Sequence, residues 1–148
     1  MTLKERFHKA ICILLEKFPE YDICIVGSSS LFLRDIKYKK PHDLDIVILN
    51  ENINEKPHNI YKLIVSDCAL DETNIHIDAL ENKYGDFKYS NIKICDNIDV
   101  KCIEPESYLN MKKLFMNNKK FKKSNRLKHK KTIPILEKII NNYYEKNK

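Results

Sequence analysis

The stretch YDICIVGSSSLFLRDIKYKKPHDLDIVIL, residues 21–49, decides the fold. Its first six residues are rich in β-formers and predict a short strand over 21–26. Gly27 follows at once, with three serines behind it, so the chain turns sharply or approaches something closely there. Residues 29–38 read as a short helix with Leu31, Phe32 and Ile36 inward. A polar loop over 37–41 leads into LDIVIL, 44–49, which is aliphatic except for Asp45 and predicts a largely buried strand.

Upstream, apolar residues at 3, 7, 10, 11, 14, 15 and 18 have the spacing of an amphipathic helix over 3–18, and Pro19 ends it. Downstream, 57–67 contains YKLIV, which suits helix or strand; helix is preferred. NIHIDAL alternates apolar with polar residues and predicts a half-buried strand over 75–80. Two more short strands are expected at 91–95 and 99–103. A helix over 105–116 opens with Pro105 at its first position and Glu106 beside it. Residues 117–131 read as a basic loop. A closing helix over 132–144 tolerates Pro134 in its first turn. The order α-β-α-β-α-β-β-β-α-α implies an α/β or α+β fold: a small mixed sheet flanked by helices, with C-terminal helices. We expect one domain, with a core over 1–104 and a basic helical segment over 105–148 packed on it.

The chain has 148 residues, 43% hydrophobic and 32% charged. That is apolar enough for a packed core without a disulfide or metal staple. No apolar run approaches the ~18–20 residues of a membrane span. The opening MTLKERFHKA lacks the apolar stretch of a secretory signal, so no membrane association and a cytoplasmic setting are expected. The five cysteines include no CxxC and mostly sit in apolar contexts, reading as small core residues in a reducing compartment. The net charge is +6, and 112–131 holds ten Lys or Arg with no acid. Such a tract attracts polyanions, although a solvated face in a Lys- and Asn-rich chain explains it equally well.

Three features carry chemistry. Asp43 and Asp45 lie two apart on a strand, so their side chains share a face. Two carboxylates there, beside buried aliphatics, repel each other and are costly to ionise without a cation. Mg²⁺ resolves the conflict through hard oxygen ligands, with substrate phosphates completing its shell. Asp78 stands at an unexpectedly polar position of another apolar strand. If that strand neighbours 44–49, three carboxylates meet, enough for two metals roughly 3.5–4 Å apart and in-line phosphoryl chemistry. The third feature is the strand–Gly27–Ser28–Ser29–helix turn. There, glycine lets a phosphate approach the backbone, and a helix start and the Ser28 hydroxyl offer donors.

This ordered set, IVGSS, PHDLDIVI and IHIDA, resembles the nucleotidyltransferase superfamily of the DNA polymerase β type in its small, minimal form. The resemblance spans roughly 21–80, under half the chain. It implies a nucleotidyltransferase-like sheet in which Gly27 and Ser28 hold the triphosphate of an NTP such as ATP. It also implies that Asp43 and Asp45 bind Mg²⁺, and that Asp78 completes the two-metal site and helps deprotonate the attacking hydroxyl. The tail departs from the pattern of small relatives: RLKHKKTIPIL has Arg126 and Lys128, but His129 stands where an acid is expected, so neither cation is assigned a catalytic role. His42 replaces the commoner small Ser or Thr before the first Asp and is also given none. His76 shares the face of Asp78 and reads as a strand-surface residue. Lys39 and Lys40 precede the Asp pair, within reach of a phosphate. Tyr143 and Tyr144 read as helix packing.

The resemblance implies an enzyme that moves a nucleoside monophosphate from an NTP to a hydroxyl and releases pyrophosphate. The acceptor class stays open among RNA or a tRNA end, a small molecule and a protein hydroxyl. The main alternative is a non-catalytic RNA- or partner-binding module that uses the basic C-terminal segment. A phosphatase or nuclease using the same carboxylates is disfavoured, because the Gly-Ser turn suits a triphosphate.

Overall fold

The computed structural model describes residues 1–50, 68–80, 87–94, 97–117 and 123–147. Helix α1, Leu3–Lys17, begins where the hydroxyl oxygen of Thr2 accepts the backbone N–H of Glu5 at 3.1 Å, satisfying one of the orphan donors of a helix start. Its buried stripe is Phe7, Ala10, Ile11 and Leu14, the 3–4 spacing read in the sequence. Phe18 closes the helix, one residue before Pro19.

The central element is a five-stranded mixed sheet built from β1 (Ile23–Val26), β2 (Asp43–Ile48), β3 (His76–Leu80), β4 (Tyr89–Ile94) and β5 (Ile98–Ile103), in the spatial order β3-β2-β1-β5-β4. Strand β1 runs antiparallel to β2 and parallel to β5; β2 and β3 are parallel; β4 and β5 form an antiparallel pair. Helix α2 (Gly27–Leu33) follows β1 without a linker. A single turn, α3 (Leu70–Thr73), precedes β3, and α4 (Pro105–Asn117) and α5 (Lys123–Lys146) close the chain. The fold is therefore mixed α+β, a sheet flanked by helices.

Alternation along the strands splits the core in two. One face, with Ile23, Ile25, Leu44, Ile46 and Ile77, packs on Phe7, Ala10, Ile11 and Leu14 of α1. The other, with Cys24, Val26, Val47 and Ile103, packs on Leu31, Tyr108, Leu109, Ile133, Leu136 and Ile140. Leu136 and Ile140 are fully buried, each contributing on the order of 1.5–3 kcal/mol. Arg34, at the end of α2, ties the layers together. Its guanidinium donates to the carbonyls of Ile103 (3.2 Å) and Cys102 (2.8 Å) and to the Ser90 hydroxyl (2.9 Å).

Several sequence expectations shift. Helix α2 starts at Gly27 and ends at Leu33, short of Tyr38, because Asp35 takes a left-handed backbone (φ 63°) that breaks the helix. Leu31, Leu33 and Ile36 are buried, while Phe32 is half-buried against α1, its ring 5.5 Å from that of Phe7. The strands expected at 91–95 and 99–103 form a hairpin that starts two residues earlier, at Tyr89. The expected basic loop over 117–131 is helical from Lys123 onward, so Pro134 lies inside α5 and not in its first turn. Lys and Arg are good helix formers, and charge density alone is no sign of a loop. The Ile133–Leu136–Ile140 stripe anchors α5, and Pro134 sits on its exposed side. The helix expected over 57–67 lies outside the described residues. No helix among the described residues is long and apolar enough to cross a membrane.

Candidate active site

Strand β2 presents Asp43 and Asp45 on one face while Leu44 and Ile46 fill the α1-side core on the other. Strand β3 does the same with Asp78 between buried Ile77 and Ala79. The parallel register sets Asp45 opposite Asp78 and Asp43 opposite His76. The three predicted carboxylates thus share one face of two adjacent strands, all half-buried. The same face carries Val26 and Val47 and is covered by α4 and α5. Antiparallel pairing puts Val26 opposite Asp45, so the β1–α2 turn arrives at the carboxylates.

Gly27 is required there for two reasons. Its φ of +68° is a left-handed backbone that side chains resist. A Cβ would also stand 3.1 Å from the Cβ of Asp45 and 3.2 Å from its Cγ, with the Oδ2 oxygen closer still. The carboxylate of Asp45 therefore occupies the space glycine leaves. Ser28 is half-buried, and its hydroxyl makes no hydrogen bond with a described residue. Ser29, part of the turn in the sequence reading but given no role of its own there, is fully buried. Its hydroxyl donates to the Val26 carbonyl at 2.9 Å and accepts the Asp45 N–H at 3.3 Å, locking β2 to the turn. Ser30 donates to the Gly27 carbonyl at 2.6 Å. The signal in the sequence was the run of three serines after a strand, a placement that lets short hydroxyls bond nearby backbone.

Tyr108 of α4 was also missed. It is buried against this face, and its phenol is pushed well above the usual range, first by burial and then by Tyr38 and Asp45. Lys112, one turn on, lies 5.5 Å from the Tyr108 ring centroid and 6.0 Å from that of Tyr38. Burial, with Lys39 and Lys128 nearby, pulls its ammonium down to about 8. Of the other residues singled out in the sequence, His42, His76, Lys39, Lys40 and Lys128 are exposed. Arg126 is half-buried on α5. The Tyr144 hydroxyl donates to Glu104 at 3.1 Å, so this tyrosine does pin α5 to the end of β5.

Among the described residues, no three His, Cys, Asp or Glu side chains form a metal cage by themselves. The donor set nevertheless fits a hard cation in type: carboxylate oxygens on one face, with a turn opposite them. Mg²⁺ is commonly held by one or two carboxylates plus substrate phosphates, not by an all-protein cage. No protein-family model matches the chain, and no curated protein matches it.

Proposed function

We propose that the protein is a Mg²⁺-dependent nucleotidyltransferase that moves a nucleoside monophosphate from an NTP to a hydroxyl acceptor and releases pyrophosphate. The observation that carries this reading is the register of β2 and β3. It aligns Asp45 with Asp78, with Asp43 on the same face, beside the Gly27 turn.

In this reading Asp43 and Asp45 hold Mg²⁺, which supplies charge neutralisation at the phosphate oxygens. Ser28, with a hydroxyl uncommitted among the described residues, donates to the triphosphate. Asp78 accepts the proton of the attacking hydroxyl. The acceptor oxygen bonds to the α-phosphorus as the bond to the bridging oxygen breaks, and pyrophosphate leaves with that electron pair. Positioning and electrostatics dominate such transfers. Ser29 positions Asp45 by holding its backbone N–H to the turn.

The second reading is a non-catalytic RNA- or partner-binding module. It draws on α5, which exposes Lys123, Lys130 and Lys131 along its first turns. Its binding would survive chelation and fall steeply with salt.

The test is incubation with Mg²⁺ and each labelled NTP, offering total RNA, cell lysate and an aminocyclitol panel as acceptors. Asp43→Ala, Asp45→Asn and Asp78→Asn run alongside. Label in one acceptor class, lost in all three variants and on chelation, is expected. No transfer to any class, together with no Mg²⁺-dependent NTP binding, would overturn the proposal and favour the binding module.

A further inference from the structure

A small cavity of about 160 Å³ lies between α4, α5 and the loop after α2, lined by Tyr38, Lys39, Lys112, Asn125, Lys128, His129 and Thr132. Among the described residues, three ammonium groups line it and no carboxylate does. Lys112 and Lys128 belong to the 112–131 basic tract, and the fold brings Lys39 to them from a distant part of the chain. Lys112 is half-buried, its ammonium within 6.0 Å of the Tyr38 ring centroid and 5.5 Å of that of Tyr108. The exposed ammonium groups of Lys39 and Lys128 repel the half-buried one of Lys112, and an anion among them relieves that repulsion. On the same helix turn, Nδ1 of His129 and Nε of Arg126 are shielded from solvent with no hydrogen-bond partner among the described residues. A buried polar atom without a partner is uncommon in a finished structure and calls for a missing one.

We propose that Lys39, Lys112, Lys128 and His129 form a binding site for a phosphate group. The cavity is well under the ~300–1,000 Å³ of pockets that enclose drug-sized ligands, so it admits an inorganic phosphate or the end of a polyphosphate, not a whole nucleotide. Lysine binds phosphate as a point charge, and the amide of Asn125 and hydroxyl of Thr132 add donors for further oxygens. A monoanionic carboxylate, with two oxygens, leaves most of this charge unmatched. The site stands independently of the reaction proposed above, since it uses none of the three aspartates and needs no metal. Two sources share the chemistry: the polyphosphate tail of a nucleotide, and a phosphate of a nucleic-acid strand.

Among the described residues, the groups facing Lys112 are Lys39 and Tyr38 from the loop, Lys128 and His129 from α5, and Tyr108 from its own helix. Free Lys112 titrates at about 8, so at pH 8 a bound anion draws a fraction of a proton onto it. Affinity therefore falls as pH rises above 8.

The experiment is calorimetric titration of inorganic pyrophosphate into the full chain with EDTA present, at pH 7 and pH 9 and, at pH 8, in two buffers of different ionisation enthalpy. Binding is expected at pH 7, weaker binding at pH 9, and net proton uptake at pH 8. Lys112→Met and Lys128→Met should each weaken it about ten- to a hundredfold, the worth of one charge-assisted hydrogen bond. Lys130→Met, one helix position off the cavity lining, should leave it unchanged. Pyrophosphate should raise the melting temperature of the native chain and of Lys130→Met but not of Lys112→Met, a comparison that also reports whether each variant folds. Acetate should not compete. Displacement by ATP but not AMP would identify the nucleotide tail; displacement by an oligoribonucleotide but not ATP would identify a strand. Absence of pyrophosphate binding, or equal losses in Lys112→Met and Lys130→Met, would overturn the site. Pyrophosphate binding by a native chain that transfers no label to any acceptor would count against the proposed reaction alone.

Discussion

Replacing Gly27 by alanine tests the link between the β1–α2 turn and the carboxylates. Two costs add. A left-handed φ of +68° carries roughly 1–2 kcal/mol of strain for a residue with a Cβ. The new methyl would press on Asp45, 3.1 Å from its Cβ and 3.2 Å from its Cγ, and overpacking of this kind costs about 1–3 kcal/mol. The sum, roughly 2–5 kcal/mol, is a large share of the ~5–15 kcal/mol stability of a typical domain. For a chain near this size it lowers the melting temperature by roughly 4–20 °C. Urea unfolding of Gly27→Ala in the native and Asp45→Ala backgrounds separates the terms. Asp45→Ala removes Cγ and both oxygens, so the cost should fall there toward the ~1–2 kcal/mol of backbone strain. An unchanged midpoint in Gly27→Ala would refute the argument outright. An equal cost in both backgrounds would refute the contact with the carboxylate.

Other outcomes follow from the same geometry. Arg34→Met should destabilise by about 2–4 kcal/mol in urea unfolding, because it strips donors from the Ile103 and Cys102 carbonyls and leaves Glu104 without its 4.0 Å partner. Ser29→Ala should cost about 1–3 kcal/mol by removing the two hydrogen bonds of its buried hydroxyl, to the Val26 carbonyl and the Asp45 N–H, whereas Ser28→Ala should leave the melting temperature unchanged. Burial pushes the thiols of Cys24 and Cys102 up to about 12 and about 11. At pH 8.5 both should resist iodoacetamide by roughly a hundredfold or more relative to half-buried Cys12 and Cys68, as read by mass spectrometry. The folded chain holds these two protons after the unfolded chain has lost them. Their contribution to stability is complete below about pH 9 and declines as pH rises through the folded values.

The sequence by itself determined the elements whose side-chain period is clear. The α1 stripe is legible because helical spacing leaves Phe7, Ala10, Ile11 and Leu14 on one face. The aspartate positions are legible because Asp45 interrupts the aliphatic run of β2, two residues from Asp43, and Asp78 takes the polar phase of the alternation in β3. Where local chemistry is ambiguous the reading drifted: Lys- and Arg-rich 123–131 suits helix or loop, and only packing of Ile133, Leu136 and Ile140 against Tyr108 and Leu109 decides for helix.

The tertiary structure decided which residues meet. Strand order is a long-range pairing choice with no local signal, and it alone sets Asp45 beside Asp78, 33 positions apart by number. The same holds for Lys39 and the basic-tract residues Lys112 and Lys128, which share one cavity because α4 and α5 fold back over the loop after α2. Side-chain type and period are local properties of a chain; proximity between distant segments is settled by which apolar faces bury each other most completely.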